Sequence, residues 1–438
     1  MQIDVFKFGG ASVNSARGVR NVAGILKRYA ERRLVVVVSA MGKTTNALEE
    51  VLDHYLACDS LRMIDAFNKV KEYHFAILEK LFGKRDHPVY GEMESLFDQL
   101  RGTLRKGHLY EESNKNYDFE YDRIVGFGEL FSSTILYRWL VKSGIPACYL
   151  DAREVIRTDN TYRDARVIHD ETERLIREKT GEIFEQSSPE FRVILTQGFI
   201  GSDPEGNMTT LSREGSDYSA ALFAHALKSE EMVIWKDVPG VMNADPKWLK
   251  SAKKLDTLSY RETIELAWFG ASVIHPKTIK PLENADIVLR VKSFRNPGQP
   301  GTEIRNLDNW KITSPIFIRK QGQVLISISP RDFAFIMEEN LSAIFSTLAK
   351  YRVKVNVMQN SAISFSVCVD GGFVETHRDA SLPKLLTDLG KDYQVLYNTG
   401  LELITIRHYN QRAINLVTKN RKLLLEQKTR HTVHLVLG

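Results

Sequence analysis

Several stretches of the sequence carry residue types suited to gripping phosphate, carboxylate and ammonium groups. Lys7-Phe8-Gly9-Gly10-Ala11-Ser12 closes an apolar run and leads into a helical pattern. Two glycines let the backbone approach an anion, a helix N-terminus offers free N–H groups and a positive dipole end, and Lys7 adds a mobile charge. Phosphate is the natural ligand, with an ordinary βα turn as the plainer alternative. Val38-Ser39-Ala40-Met41-Gly42-Lys43-Thr44-Thr45-Asn46 also follows a strand pattern, and its hydroxyls and amides suit a carboxylate. Gly42-Lys43-Thr44 imitates the end of a P-loop, but Val37 stands where that motif demands its first glycine, and a Ser/Thr helix cap is the plainer alternative.

Gly126-Phe127-Gly128-Glu129 opens a further helical run. Glu129 in that first turn is either a surface carboxylate favoured by the dipole or, facing a cleft, a partner for a substrate ammonium. The densest constellation is Gln197-Gly198-Phe199-Ile200-Gly201 followed by Thr210-Leu211-Ser212-Arg213-Glu214-Gly215-Ser216-Asp217-Tyr218, joined by the turn formers Asp203-Pro204-Glu205-Gly206. Arg213 offers a planar fork for a carboxylate, while Asp217 at a helix start suits an ammonium or the positioning of the lysine. Ser216 or Asp217 is otherwise a helix N-cap. The loop from Trp235 to Lys247 leaves a strand pattern, where open α/β sheets bind nucleotides. His275-Pro276 opens a helix and is assigned no chemistry.

The elements around these stretches alternate. Short β-rich runs at Ile3 to Phe8, Arg33 to Ser39, Ala147 to Leu150, Arg192 to Gln197, Met232 to Trp235 and Ile287 to Val291 are separated by helical patterns, which argues for a mainly parallel sheet covered by helices. Residues from about 46 to 123 read as a charged helical insertion. Asn296-Pro297-Gly298-Gln299-Pro300-Gly301 is the expected domain boundary, with a new domain from about Ile312. Beyond it, strand at Val324 to Ser329, helix at Leu341 to Ala349, strands at Val353 to Val357 and Ile363 to Val369, helix at Leu382 to Leu389 and strand at Tyr393 to Tyr397 make a βαββαβ unit. A shorter copy follows from Leu401, lacking the last helix and strand.

With 438 residues, and about 150 per domain, two or three folded units are expected. Hydrophobic residues at 43% and charged residues at 26% are ordinary globular usage, and no apolar run approaches the ~20 residues of a membrane span. The net charge of +5 is dispersed, so no nucleic-acid stripe stands out. Cys58, Cys148 and Cys368 are far apart, which indicates neither a disulfide framework nor a zinc site and fits a reduced cytoplasmic setting; the N-terminus shows no secretion signal.

In this order, the segments resemble the aspartate kinases of the amino-acid kinase superfamily over essentially the whole chain. The start at Lys7, the loop ending Thr44-Thr45-Asn46, Gly128-Glu129, Arg213 to Asp217, Asp237-Val238-Pro239-Gly240-Val241 and Ala271-Ser272-Val273-Ile274-His275-Pro276 all match that family's motifs. The resemblance implies an α/β amino-acid kinase fold, an open mainly parallel sheet sandwiched by helices (residues 1–300), then ferredoxin-like ACT-type units at 312–398 and 399–438, the second truncated. It implies phosphorylation of the aspartate side chain by ATP with Mg²⁺, towards lysine, threonine and methionine. Lys7 would steady the phosphoryl group, Asp217 would orient Lys7, and Gly9 and Gly10 would line the phosphates. Ser39, Thr45, Glu129, Arg213 and Ser216 would hold aspartate. Nucleotide contacts would fall to Lys236, Asp237, Met242, Lys247 and Ser272, of which Lys236, Met242, Lys247 and Ser272 depart from the family's commonest residues. Ser329, Asn356 and Ser361 would lie at a lysine or threonine effector site in a homodimer joined through ACT units, with weakened or altered feedback. The rival readings are another kinase of the superfamily and a non-catalytic amino-acid sensor of the same fold.

Overall fold

The computed structural model of the chain describes residues 3–83, 86–106, 117–186, 192–212, 214–271, 274–307, 314–332, 334–371 and 381–438. It divides into one unit of residues 1–241, 254–264 and 273–308, and a second of 242–253, 265–272 and 309–438.

The first unit contains strands β1 (Ile3–Phe8), β2 (Arg33–Val38), β3 (Ala147–Leu150), β4 (Val193–Gln197), β5 (Ile200–Ser202), β6 (Met208–Thr210), β7 (Glu231–Lys236), β8 (Thr257–Ser259), β9 (Val288–Ser293) and β10 (Thr302–Arg305). Its helices are α1 (Ala16–Lys27), α2 (Thr44–Leu56), α3 (Ser60–Phe82), α4 (Val89–Lys106), α5 (Tyr117–Val125), α6 (Phe127–Lys142), α7 (Ala152–Val155), α8 (His169–Gln186), α9 (Gly215–Ala226) and α11 (Pro276–Asn284), while α10 (Tyr260–Trp268) falls partly in each unit. Eight strands form one sheet in the order β3-β4-β2-β1-β7-β9-β10-β8, parallel except for β9 with β10. The valine run of β2 is buried at every residue from Leu34 to Val38, as a strand covered on both faces must be. Phe8 stacks on Trp235 at 5.8 Å and Phe6 meets the same indole edge-on, an aromatic underlay that fixes β1 against β7.

Helices α2 to α5 fill the stretch read as an insertion. His74 of α3 is fully buried there, with Nδ1 donating to the Val70 carbonyl at 2.7 Å, and burial pulls its pKa down to about 4, so the ring is neutral. The glycine and proline cluster at 296–301 turns out to be the connection of a hairpin. Thr302 pairs with Val291, and Gly301 sits at φ 77 where a Cβ would lie 2.2 Å from the Val291 carbonyl oxygen. The chain stays within the first sheet through β10, which begins six residues beyond the start of that turn.

The second unit contains β11 (Ile316–Pro330), α12 (Glu338–Lys350), β12 (Val355–Asn360), β13 (Phe365–Asp370), α13 (Ser381–Asp392), β14 (Tyr393–Arg407), α14 (Gln411–Thr418), β15 (Leu423–Lys428) and β16 (Thr432–Leu437). They form a six-stranded antiparallel sheet in the order β12-β13-β11-β14-β16-β15. The first strand starts at Ile316, earlier than its sequence pattern suggests, and β14 runs unbroken where two strands were expected. These two 15-residue strands pair along their length, with register shifts between Lys320 and Leu325. Each half of the pair therefore serves a different βαβ set. The later half of β11 buries Ile326 and Ile328 with Val367, Ile344 and Leu385, while Ile404, Ile406, Val433 and Leu435 close on Ile414 and Val417 of α14. The shorter set thus has a fourth strand, Ile316–Lys320, from upstream in the chain.

Candidate active site

Adjacent parallel strands deliver their carboxyl ends to one edge of the first sheet. Register puts Phe8 beside Val38 and Trp235, and Val38 beside Gln197, so the residues leaving β1, β2, β4 and β7 emerge side by side. Lys7, one residue inside that edge, extends to Asp217 of α9, with Nζ 2.6 Å from Oδ1 and both side chains largely shielded. Helix α9 packs on β1, β2 and β7 and starts earlier than expected: Glu214, in the left-handed region, is the N-cap, and Ser216 and Asp217 lie in the first turn. Asp217 is thereby released from capping, and its carboxylate is available to the lysine.

Helix α1 also begins later than its glycines suggest. Ser12 N and Oγ both return to the Gly9 carbonyl, closing a short 3₁₀ turn, and α1 starts at Ala16 under a Ser15 cap. The anion-facing amides there belong to that turn. Gly10 is demanded by packing, since a Cβ would come within 2.6 Å of the Ala40 carbonyl oxygen, whereas at Gly9 it would meet Lys7 Nζ at 3.4 Å. The second loop is clamped to the first by Gly42 N to Gly10 O at 3.0 Å and Ser39 N to Phe8 O at 3.1 Å. Thr45 lies in the first turn of α2, behind which Thr44 Oγ1 donates to the Met41 carbonyl.

Glu129 is no surface carboxylate. It is 3% exposed, Oε1 accepts from the Ala40 amide at 3.1 Å, and Oε2 has no hydrogen-bond partner among the described residues. Burial pushes its pKa up to about 8, opposed by the Ala40 amide and by the nearby Lys7 charge. A Cβ on Gly128 would press to 2.9 Å from that of Ala40, and one on Gly198 to 2.6 Å from that of Ser216, so both glycines permit close approach of the site's walls. Lys236 and Asp237 leave β7 at the same sheet edge; Asp237 is exposed, with its carboxylate 3.8 Å from Arg295. Met242 and Lys247 belong instead to the second unit, where their segment's Trp248, Leu249 and Ala252 pack on the Ile404 core. Arg213 and Ser272 lie outside the described residues.

Of the proposed effector residues, Asn356 is fully occupied. Its Nδ2 donates to Gln323 Oε1 at 2.9 Å and Asp370 Oδ1 at 2.8 Å, and its Oδ1 accepts from Lys320 Nζ at 2.8 Å. Ser361 closes a local turn with Ser364, and Ser329 lies near the end of β11. Sequence reasoning missed Asp122, which the structure buries completely against Thr210. Its only trace was an acid among the apolar, core-facing positions of α5.

A profile described as the amino acid kinase family matches residues 2–293. The chain belongs to that family. It is 30% identical over 409 residues to lysine-sensitive aspartokinase 3 of Escherichia coli (strain K12), covering 92% of this chain and 87% of that protein. Bifunctional aspartokinase/homoserine dehydrogenase 1, chloroplastic, of Arabidopsis thaliana is 31% identical over 374 residues, 83% of this chain; the chain spans only 40% of that relative's length. Among solved structures, E. coli aspartokinase III in complex with aspartate and ADP superposes with a TM-score of 0.80 at 26% identity, covering 100% of this chain and 96% of that one. No helix among the described residues is long and apolar enough to cross a membrane.

Proposed function

We propose that the chain is an aspartate kinase, transferring the γ-phosphoryl group of MgATP to the side-chain carboxylate of L-aspartate. The observation that carries this reading is the shielded Lys7–Asp217 pair at a glycine-lined sheet edge, lined also by Glu129, whose Oε2 has no partner among the described residues. Phosphoryl transfer needs positioning and charge neutralisation more than a protein nucleophile. A side-chain oxygen of aspartate forms the new bond to phosphorus as the bridging bond to ADP breaks, and an ionised carboxylate needs no general base.

Lys7 neutralises the phosphoryl group in flight, and Asp217 fixes the lysine's direction. Gly9 leaves the phosphates room beside Lys7. Glu129 receives the ammonium of aspartate; because the buried carboxyl holds a proton below about pH 8, binding at pH 7 releases it. Ser39, Thr45, Arg213 and Ser216 complete the aspartate site, and Lys236 and Asp237 serve the nucleotide, whose magnesium enters with the substrate. A second copy pairs through the ACT-type units, in the cytoplasm. Lysine or threonine feedback is weak, because the amide of Asn356 is spent on Lys320, Gln323 and Asp370.

The test is hydroxamate trapping of the acyl phosphate. With MgATP, aspartate should give product that glutamate and acetylglutamate do not, and lysine or threonine at millimolar level should inhibit incompletely. No aspartate-dependent product would refute the activity, and complete inhibition at low lysine would refute the weakened feedback.

A further inference from the structure

Among the described residues, Leu211, Ser212 and Glu214 join the hairpin β5–β6 to helix α9 outside any helix or strand, and this join must be held in one conformation to serve the acidic substrate. Ser212 and Glu214, neither of them glycine, adopt φ of 64 and 57, a conformation that persists only where surroundings over-determine it. The determinant on the entry side is Asp122 of α5, 0% exposed. Its Oδ2 accepts from the Thr210 amide at 2.8 Å, its Oδ1 accepts from Thr210 Oγ1 at 2.5 Å, and the Arg163 amide donates to both oxygens at 3.0 Å. The Thr210 carbonyl in turn accepts from the Ala165 amide at 3.0 Å, so every polar group of Thr210 is engaged.

On the exit side, Lys277 Nζ lies 2.6 Å from Asp164 Oδ1 and 3.4 Å from Ser212 Oγ, and the Gly215 amide returns to the Ser212 carbonyl at 3.0 Å. The two clamps meet in one loop, since the Arg163 amide meets Asp122 of α5, Asp164 meets Lys277 of α11, and the Ala165 amide meets Thr210 at the end of β6. Burial drives the Asp122 carboxyl up to about 7 despite the donors that favour its charge. A carboxylate kept at such a position is costly to the fold, so its presence calls for a reason other than stability.

We propose that Asp122 is a positioning residue: through Thr210 it fixes the end of β6 and the approach to α9, whose first turn carries Ser216, so that its removal weakens recognition of aspartate and spares the phosphoryl-transfer step. This rests on the aspartate kinase reading. The experiment is steady-state kinetics on the full chain with Asp122→Ala, Thr210→Val and Thr210→Ser. Asp122→Ala should raise the KM for aspartate about tenfold or more, with kcat and the KM for MgATP within about threefold. Thr210→Val, which deletes only the hydroxyl donor, should show the same pattern at about threefold, and Thr210→Ser, which restores it, should return to the parent value. Should Asp122→Ala fail to fold, the threonine pair decides. Equal rises in both KM values, a loss confined to kcat, or an unmoved aspartate KM in Thr210→Val would overturn the proposal. An unsubstituted chain without aspartate-dependent turnover would overturn the functional reading as well, a result separable from the others.

Discussion

Lys7 and Lys320 are both rooted in central strands of a sheet, and their surroundings differ in what they leave unfinished. Lys7 meets a full carboxylate at 2.6 Å, close to Gly9 and to a buried glutamate whose second oxygen lacks a partner among the described residues. Lys320 meets an amide oxygen at 2.8 Å, in a network where Asn356, Gln323 and Asp370 satisfy one another, and burial pulls its pKa below the usual lysine range. Buried polar groups left short of partners are costly, and the cost is recovered when a ligand supplies them. The first region is poised to receive charged groups, and the second has closed on itself.

The contrast breaks most directly at Lys7. Lys7→Ala should lower kcat by about 10²–10³-fold while MgADP binding measured by calorimetry changes little; near-normal turnover would erase the distinction between the two lysines. Next in size is Glu129→Gln, expected to raise the aspartate KM by about 10–100-fold through loss of a charged hydrogen bond. The same change should stabilise the empty enzyme with a defined pH dependence. The folded pKa of Glu129, about 8, lies above the ordinary glutamate value of 4.5, so whatever stability the group contributes is present at low pH and lost as pH rises through 8. The melting-temperature advantage of Glu129→Gln should therefore grow from pH 6 to pH 9. An advantage that stays flat over that range would mean the carboxylate is already ionised in the fold. Smallest is Lys320→Met, which strands the Asn356 oxygen and should cost about 1 kcal/mol or less, read as a slight fall in Tm with effector-free kcat unchanged.

Much of this was legible where local pattern and function coincide. The valine run of β2 announces a doubly covered strand, and Lys7 with its glycines marks the sheet edge. The long β11 was half hidden because Arg319-Lys320-Gln321-Gly322-Gln323 interrupts its apolar alternation; the pairing with β14 that carries the strand through that stretch is a long-range effect. The four-residue strand β10 is too short to show a period, which is why the turn that joins it to β9 resembled a domain boundary. The left-handed Glu214 cap and the Asp122 clamp are tertiary features, set by what packs around them.

The most direct test of the central claim, that Lys7 and Asp217 work as one device, is a double-mutant cycle in kcat with Lys7→Ala, Asp217→Asn and the two combined. Groups that act as a unit are grossly non-additive. The double variant should be no slower than Lys7→Ala alone, because an asparagine has nothing left to direct once the cation is gone. Losses that multiply independently would show that the 2.6 Å contact is incidental to turnover.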